Sequence, residues 1–174
     1  ILDEADDWRA ICRPFDKFFN YGEGHASVVD WNTACVQEKL DGSLCTLYWY
    51  GGTWHVSTSG SPDAGGNVGD FPDLTFSKLF WKTFKEMGLK PPPFTDVDIN
   101  YMFELMTQFN RVVVVHKEPA LKLIGVRDRF SGEELSVYSP RAAAREYPAV
   151  RSFALNTVDA ITASFETINP LSQE

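Results

Sequence analysis

Residues 38–44 combine residue types that suit covalent chemistry at a phosphorus atom. They read Glu-Lys-Leu-Asp-Gly-Ser-Leu, so Lys39 stands two positions before Asp41 and just ahead of Gly42. A lysine amine is a nucleophile only when neutral, and burial, nearby cations or a bound metal can lower its pKa enough. A carboxylate two positions along an extended chain reaches the same ligand, and a glycine allows close backbone approach. The pattern therefore predicts that Lys39 accepts a nucleotide.

The same segment has a second interpretation. Asp-Gly between apolar runs is a strong signal for a β-hairpin turn, in which Lys39 would be an ordinary lysine beside the turn. Short motifs also match by chance. Residues 38–44 alone leave both interpretations open, so the rest of the chain has to decide between them.

The elements that would position Lys39 are mainly strands. Apolar alternation and apolar runs predict strands at 8–12, 33–36, 43–50, 53–58, 99–106, 111–116 and 121–128. Apolar spacings of three and four predict a helix over 76–87, and shorter helices are expected over 140–146 and 157–167. Strand hairpins with a few interspersed helices predict an α+β fold with mainly antiparallel sheets.

The length and net charge of the chain limit the classes of function that it can have. The 174 residues suit one domain with a substantial core. The net charge of −8 argues against a protein that coats nucleic acid generally. The first 77 residues hold twelve acidic and four basic side chains, whereas the remainder holds twelve of each. A face that binds a polyanion should therefore draw on the second part of the chain.

Cysteine usage and hydropathy indicate a cytoplasmic protein. Cys12, Cys35 and Cys45 are odd in number and lack the paired spacing of metal ligands, which is typical of reduced thiols. The three histidines are isolated, so structural roles are favoured over zinc binding. No apolar run approaches the roughly 20 residues of a membrane span, and no membrane partner is expected.

Four segments in order carry a family resemblance. They are Arg-Pro-Phe-Asp-Lys-Phe-Phe-Asn at 13–20, the lysine segment at 38–44, Phe-Glu-Leu at 103–105 with Asn-Arg-Val-Val at 110–113, and Leu-Ile-Gly-Val-Arg-Asp-Arg-Phe-Ser-Gly-Glu at 123–133. Together they resemble the adenylyltransferase domain of the T-even phage RNA ligase 1 family. Each motif alone is weak to moderate, but four in the correct order and spacing are a strong signal.

The resemblance implies a fold, a reaction and a substrate. The fold would be the covalent nucleotidyltransferase domain, an ATP-grasp-like ligase core. The reaction would use ATP with Mg²⁺ or Mn²⁺ to adenylylate Lys39. AMP would then pass to an RNA 5′-phosphate, and a 3′-hydroxyl would displace it to seal the strand. RNA with 5′-phosphate and 3′-hydroxyl ends is the expected partner.

The resemblance also implies roles for individual residues. Lys39 would form the lysyl-AMP bond, Lys17 would contact ATP phosphates, and Phe19 would line the nucleotide pocket. The positions expected to bind the nucleotide are Lys17, Phe19, Glu38, Asp41, Gly42 and Glu104. Glu104 and Glu174 are the expected metal ligands. A carboxylate within the apolar strand around Glu104 is costly to bury without a partner, although pattern alone also allows it to face solvent.

Some positions depart from the family pattern. Ser59 stands where the family has a basic residue, which puts one phosphate contact in doubt. We expect residues 1–174 to form a single nucleotidyltransferase domain that lacks the family's final Lys-x-Lys motif. A catalytically impaired nucleotide- or RNA-binding module of the same fold is therefore an alternative. DNA ligases and capping nucleotidyltransferases share the Lys-x-Asp-Gly element and are a further alternative.

Overall fold

The fold is built on a five-stranded antiparallel sheet, in a computed structural model that describes residues 1–143 and 145–166. The strands are β1 (Leu2–Asp3), β2 (Arg9–Ala10), β3 (Val36–Gln37), β4 (Ser43–Tyr50), β5 (Thr53–Thr58), β6 (Asn67–Val68), β7 (Phe71–Thr75), β8 (Ile99–Met106), β9 (Ala120–Asp128), β10 (Glu134–Leu135) and β11 (Ser152–Phe153). The helices are α1 (Phe76–Glu86), α2 (Pro140–Ala143) and α3 (Val158–Ser164), with 3-10 turns at Glu4–Asp6 and Phe94–Asp96. The central sheet has the order β10–β9–β8–β4–β5, and every pairing in it is antiparallel. The predicted α+β class with mainly antiparallel sheets is confirmed.

Helix α1 builds the main core on one face of this sheet. Its first turn is capped by Thr75, whose hydroxyl accepts the Lys78 backbone N–H at 3.2 Å. Gly88, with φ of +69°, allows the chain to leave the helix. Fully buried members of this core include Leu47, Phe80, Tyr101, Phe103 and Leu105. The apolar face predicted over 76–87 is confirmed.

The opposite face of β8 carries a different set of side chains. Because strand side chains alternate, Met102 and Glu104 lie on the face away from α1. Residues 13–16 cross this face. Arg127 donates to the Pro14 carbonyl oxygen at 2.6 Å. The Phe15 ring lies so close to Gly125 that any Cβ there would clash with it. The start of the first resembling segment is therefore fixed on the face that holds Glu104.

Residues 111–116, predicted as a strand, form a loop instead. Strand β8 ends at Met106 and β9 begins at Ala120, and no strand lies between them. The backbone N–H groups of Val113 and Val114 donate to the carboxylate of Asp41, not to a neighbouring strand. The prediction was wrong because β-branched residues favour extended backbone but do not determine which acceptor the backbone N–H groups bind.

The smaller elements are shorter than predicted. The strand expected at 33–36 begins only at Val36, as β3, and pairs with β11. The strand expected at 8–12 is reduced to β2. The helices expected at 140–146 and 157–167 appear as α2 and α3, and residues 144 and 167 lie outside the described range. None of the helices within residues 1–143 and 145–166 combines the length and apolarity needed to span a membrane.

Candidate active site

Lys39 lies in a loop over residues 38–42, which we call the lysine loop, that joins two separate sheets. The loop leaves β3, whose partner is β11, and enters β4 in the central sheet. The Glu38 backbone N–H donates to the Arg151 carbonyl oxygen at 2.9 Å, which ties the loop just before Lys39. Since β4 pairs with β5 and β8 and not with β3, Asp41 and Gly42 do not form a hairpin turn. The Lys39 side chain is exposed, so a ligand can reach it.

Glu104 lies beneath this loop. It sits opposite Leu44 on β4 and Lys122 on β9. Burial raises the pKa of Glu104 to about 7, and the positive charge of Lys39 and the Gly42 backbone N–H act in the opposite direction. Glu104 and Lys39 are therefore close enough to interact electrostatically. The sequence left open whether Glu104 faces solvent, and the structure places it half-buried beside the lysine loop.

Gly42 allows the loop to approach β8 closely. A Cβ at this position would clash with the Leu105 carbonyl oxygen and lie 3.0 Å from the Met106 side chain. A larger residue could be accommodated only by moving the loop away from β8, because the obstacle is backbone. The glycine is thus required by packing against β8, in addition to any contact with a nucleotide.

Asp41 has well-defined protein partners. Its Oδ2 accepts the backbone N–H groups of Val113 at 2.8 Å and Val114 at 2.7 Å. These two hydrogen bonds hold the pKa of Asp41 below its ordinary value, with smaller contributions from His116 and Lys39. The sequence predicted only a ligand contact for Asp41, and the structure gives this carboxylate a role within the protein.

Asn110 is a site residue to which the sequence assigned no definite role. It is buried, and its side-chain amide donates to Ser43 Oγ at 2.9 Å and to the Leu105 carbonyl oxygen at 2.7 Å. Its own side-chain oxygen accepts the Thr107 hydroxyl at 2.7 Å. The Asn-Arg pair after the predicted strand was the available signal, and only the fold shows that Asn110 holds the start of β4.

Lys17 and Phe19 lie together in a cleft of about 290 Å³. The Lys17 ammonium lies 5.1 Å from the centre of the Phe19 ring, a cation–π contact, and both side chains are exposed. A second, open cleft of about 410 Å³ begins at Ser43 and Leu44, directly after Gly42, and extends to Ser59. The structure thus brings Lys39, Glu104 and the loop residues Asp41 and Gly42 together, and places Lys17 and Phe19 at a separate cleft.

Few side chains among the described residues are placed to bind a divalent cation. Residues 1–143 and 145–166 contain no group of three or more His, Cys, Asp or Glu side chains that could hold a metal. Glu174 lies outside the described residues. Glu104 alone nevertheless fits Mg²⁺, which commonly binds through one or two carboxylates together with substrate phosphates and water. Glu104 as a metal ligand stays a prediction.

Comparisons with known proteins identify the family. A family model described as RNA ligase matches residues 1–172. An RNA ligase of Rhodothermus phage RM378 is 35% identical over 160 residues, covering 73% of this chain and 36% of the relative. A putative bifunctional polynucleotide kinase/RNA ligase of Autographa californica nuclear polyhedrosis virus is 29% identical over 143 residues, covering 72% of this chain and 20% of the relative.

A solved structure is also similar to part of this chain. An archaeal ATP-dependent RNA ligase aligns with a TM-score of 0.48 and 17% identity, covering 69% of this chain and 31% of that one. The chain spans about a third of the length of the phage relative and about a fifth of the viral one. The match over residues 1–172 confirms the resemblance seen in the motifs, and the chain belongs to the RNA ligase family.

Proposed function

We propose that residues 1–174 form the nucleotidyltransferase domain of an ATP-dependent RNA ligase that adenylylates itself on Lys39. The observation that carries this proposal is the exposed Lys39 in a loop fixed at both ends, with the half-buried carboxylate of Glu104 beside it. Family membership gives the class of reaction, and this geometry supplies a nucleophile with an acidic side chain beside it.

In the proposed first step, the neutral Lys39 amine attacks the α-phosphorus of ATP. The N–P bond forms as the bond to pyrophosphate breaks, and the amine proton is released to solvent. Magnesium bound with ATP, near Glu104, would neutralise phosphate charge. Positioning and electrostatic stabilisation dominate this kind of transfer. The loop contacts of Gly42 and Asp41 therefore matter because they fix where the Lys39 amine stands.

The open cleft beside the loop, and the separate cleft at Lys17 and Phe19, suit the remaining parts of the nucleotide. The open cleft that starts at Ser43 has about 410 Å³ and combines hydroxyl groups with the apolar side chains of Leu44 and Phe76. That mixture of apolar lining and a few polar groups is typical of small-molecule sites. Lys17 and Phe19 offer a cation and an aromatic ring at the second cleft, where we propose contact with phosphate and base.

The later steps use RNA as the acceptor. AMP would move from Lys39 to an RNA 5′-phosphate, and an RNA 3′-hydroxyl would displace AMP to join the ends. The three cysteines are free thiols, and we propose that the reaction takes place in the reducing cytoplasm.

The alternative is a nucleotide- or RNA-binding module that has lost catalysis. Ser59 favours it, because this residue lines the open cleft at the position where the family pattern has a basic side chain. Without a basic side chain at this position, the negative charge that develops on the phosphate in the transition state loses a stabilising partner. The apolar contacts of the cleft remain. Such a module would bind ATP without forming a covalent bond.

The test is intact-mass spectrometry after incubation with ATP and magnesium. We expect the wild type to gain the mass of one AMP and Lys39→Ala to gain nothing, with the label mapped to Lys39 by peptide sequencing. Labelling of Lys39→Ala at the same rate would remove Lys39 as the nucleophile. Transfer of GMP from GTP in place of AMP would indicate a capping enzyme.

A binding measurement separates the two candidate functions when no label appears. Isothermal titration of ATP into the wild type would show heat and saturation if the domain is a binding module. Absence of both label and ATP binding would contradict the ligase and the nucleotide-binding module. Lys122→Ala is a useful comparison in the labelling assay, because Lys122 faces Glu104 from β9 without belonging to the lysine loop.

A further inference from the structure

The loop after β8 folds back onto the segment that carries Lys39. We call residues 107–116 the clamp segment. It contacts the lysine loop and the start of β4 at three points: Asn110 reaches Ser43, the Val113 and Val114 backbone reaches the Asp41 carboxylate, and His116 reaches the Asp41 carbonyl oxygen. Residues 111–116 of this segment were predicted as a strand, and residues 110–113 belong to one of the four resembling motifs, but neither the resemblance nor the proposed chemistry assigns a role to His116.

Asp41 is held through both of its acceptor groups. The side-chain Oδ2 accepts two backbone N–H groups of the clamp segment, and the backbone oxygen contacts His116 Nε2 at 2.6 Å. A residue held at its side chain and at its carbonyl group has little freedom to rotate about its own backbone. The chain is therefore fixed two residues after Lys39.

His116 must donate in this contact. A carbonyl oxygen only accepts, so Nε2 of His116 carries a hydrogen. The ring is buried, with 8% of its surface exposed. A buried donor that loses its acceptor, or a buried acceptor that loses its donor, costs more than a surface hydrogen bond. The contact is therefore a firm attachment of the lysine loop to the clamp segment.

The other side of Lys39 is fixed by a different element. The Glu38 backbone N–H donates to the Arg151 carbonyl oxygen at 2.9 Å, next to β11. Lys39 thus lies in a short span between an attachment at residue 38 and an attachment at residue 41. The side chain is exposed and long, so the position of its amine depends on how rigidly the backbone of this span is held.

We propose that His116 is a positioning residue for Lys39, acting through the backbone of Asp41. This inference rests on the proposed function, because it names what the clamp segment does for self-adenylylation. His116 does not touch the nucleotide in this proposal. It holds the lysine loop so that the Lys39 amine stands in line with the phosphorus atom it attacks.

The expected effect is on the rate of the chemical step. Displacing a reacting group by about 1 Å can cost about 100-fold in rate. We expect His116→Leu to slow adenylylation of Lys39 by about 10- to 100-fold. The KM for ATP should stay within about threefold, because loss of an interaction that matters only in the transition state lowers kcat without changing ground-state binding.

The first arm of the test compares three variants by the rate of AMP attachment. His116→Gln keeps a donor near the position of Nε2, so we expect it to recover most of the rate lost in His116→Leu. His55→Leu is the matched control, because His55 Nε2 contacts the Tyr50 carbonyl oxygen at 3.2 Å, away from the lysine loop. Equal impairment of His116→Gln and His116→Leu, or an effect confined to KM, would overturn the proposal.

The second arm needs no catalysis and uses trypsin, which cleaves after lysine. Cleavage after Lys39 requires the loop to open, and losing a hydrogen bond worth about 1 kcal/mol should speed it about fivefold in His116→Leu. Cleavage after Lys85, at the end of α1, should be unchanged, which shows that the whole domain has not unfolded. Unchanged cleavage after Lys39 would mean that His116 does not hold the loop.

The two arms of the test distinguish failure of the proposed function from failure of the positioning role of His116. If the wild type takes no AMP, the proposed function fails, and the tryptic arm still decides whether His116 holds the lysine loop. If the wild type is adenylylated and His116→Leu opens the loop without slowing the reaction, self-adenylylation stands and the positioning role is refuted. Slower adenylylation with a more open loop, both restored in His116→Gln, is the result that supports it.

Discussion

Replacing Glu104 with glutamine should make the protein more stable at high pH and less active. Burial raises the pKa of Glu104 from 4.5 to about 7. The folded protein therefore binds this proton more tightly than the unfolded chain does. The resulting stabilisation is fully present below about pH 4.5 and is lost as the pH rises through about 7. Glutamine resembles the protonated acid and carries no charge at any pH.

The size of the effect follows from the shift. A change in pKa from 4.5 to about 7 corresponds to about 3 kcal/mol, at roughly 1.4 kcal/mol for each pH unit. Glu104 is only partly buried, so solvent screening makes this an upper limit. We expect the free energy of unfolding of Glu104→Gln, relative to wild type, to increase by about 1 to 3 kcal/mol between about pH 5 and about pH 8.

Urea unfolding of both proteins across this pH range measures the difference. Glu118→Gln, on an exposed loop, is the control and should leave the pH dependence unchanged. A wild-type-minus-variant difference that stays constant with pH would refute the reasoning about burial. If the proposed function holds, Glu104→Gln should also lose self-adenylylation at the pH where it is more stable, which separates a functional carboxylate from a structural one.

Two further predictions concern the loop and the strand beneath it. Gly42→Ala should lower self-adenylylation at least about tenfold, because its Cβ would clash with the Leu105 carbonyl oxygen and displace the loop. Mass spectrometry measures the rate, and Gly24→Ala, where a Cβ meets no atom within 4 Å, should match the wild type. Asn110→Ala should cost about 1 to 3 kcal/mol of unfolding free energy in urea, since the Leu105 and Ser43 oxygens lose a buried donor. Asn110→Asp, which cannot donate, should be no better, and full stability in that variant would contradict the assignment.

The local sequence pattern was sufficient to predict two kinds of element. One is a helix, which makes its own backbone hydrogen bonds, and the other is a strand whose two faces have different surroundings. Helix α1 could be predicted from its apolar spacing, its Thr75 cap and its glycine end, all of which are local in sequence. Strands β4 and β8 could be predicted from runs of β-branched and aromatic residues. The family could be predicted from four ordered motifs, and residues 1–172 match it.

The loop at 111–116 shows where local pattern was insufficient. Its valines have the composition of a strand, yet its backbone donors go to Asp41, a residue distant in sequence. A strand needs a neighbouring strand to satisfy its N–H groups, and sequence composition does not reveal which partner is available. The same limit applied to β3, whose partner β11 lies near the other end of the described chain.

The sequence by itself determined the residue types of the site: the nucleophilic lysine, the glycine three positions after it and the carboxylate in the apolar strand. Only the tertiary structure decided how they are held. Burial of Glu104 on β8, beneath the lysine loop, raises its pKa, and contacts across the chain fix Asp41 to His116 and the valine backbone. The physical reason is that nucleophilicity belongs to a side chain, whereas burial, close approach and hydrogen-bond pairing depend on which distant segments the fold brings together.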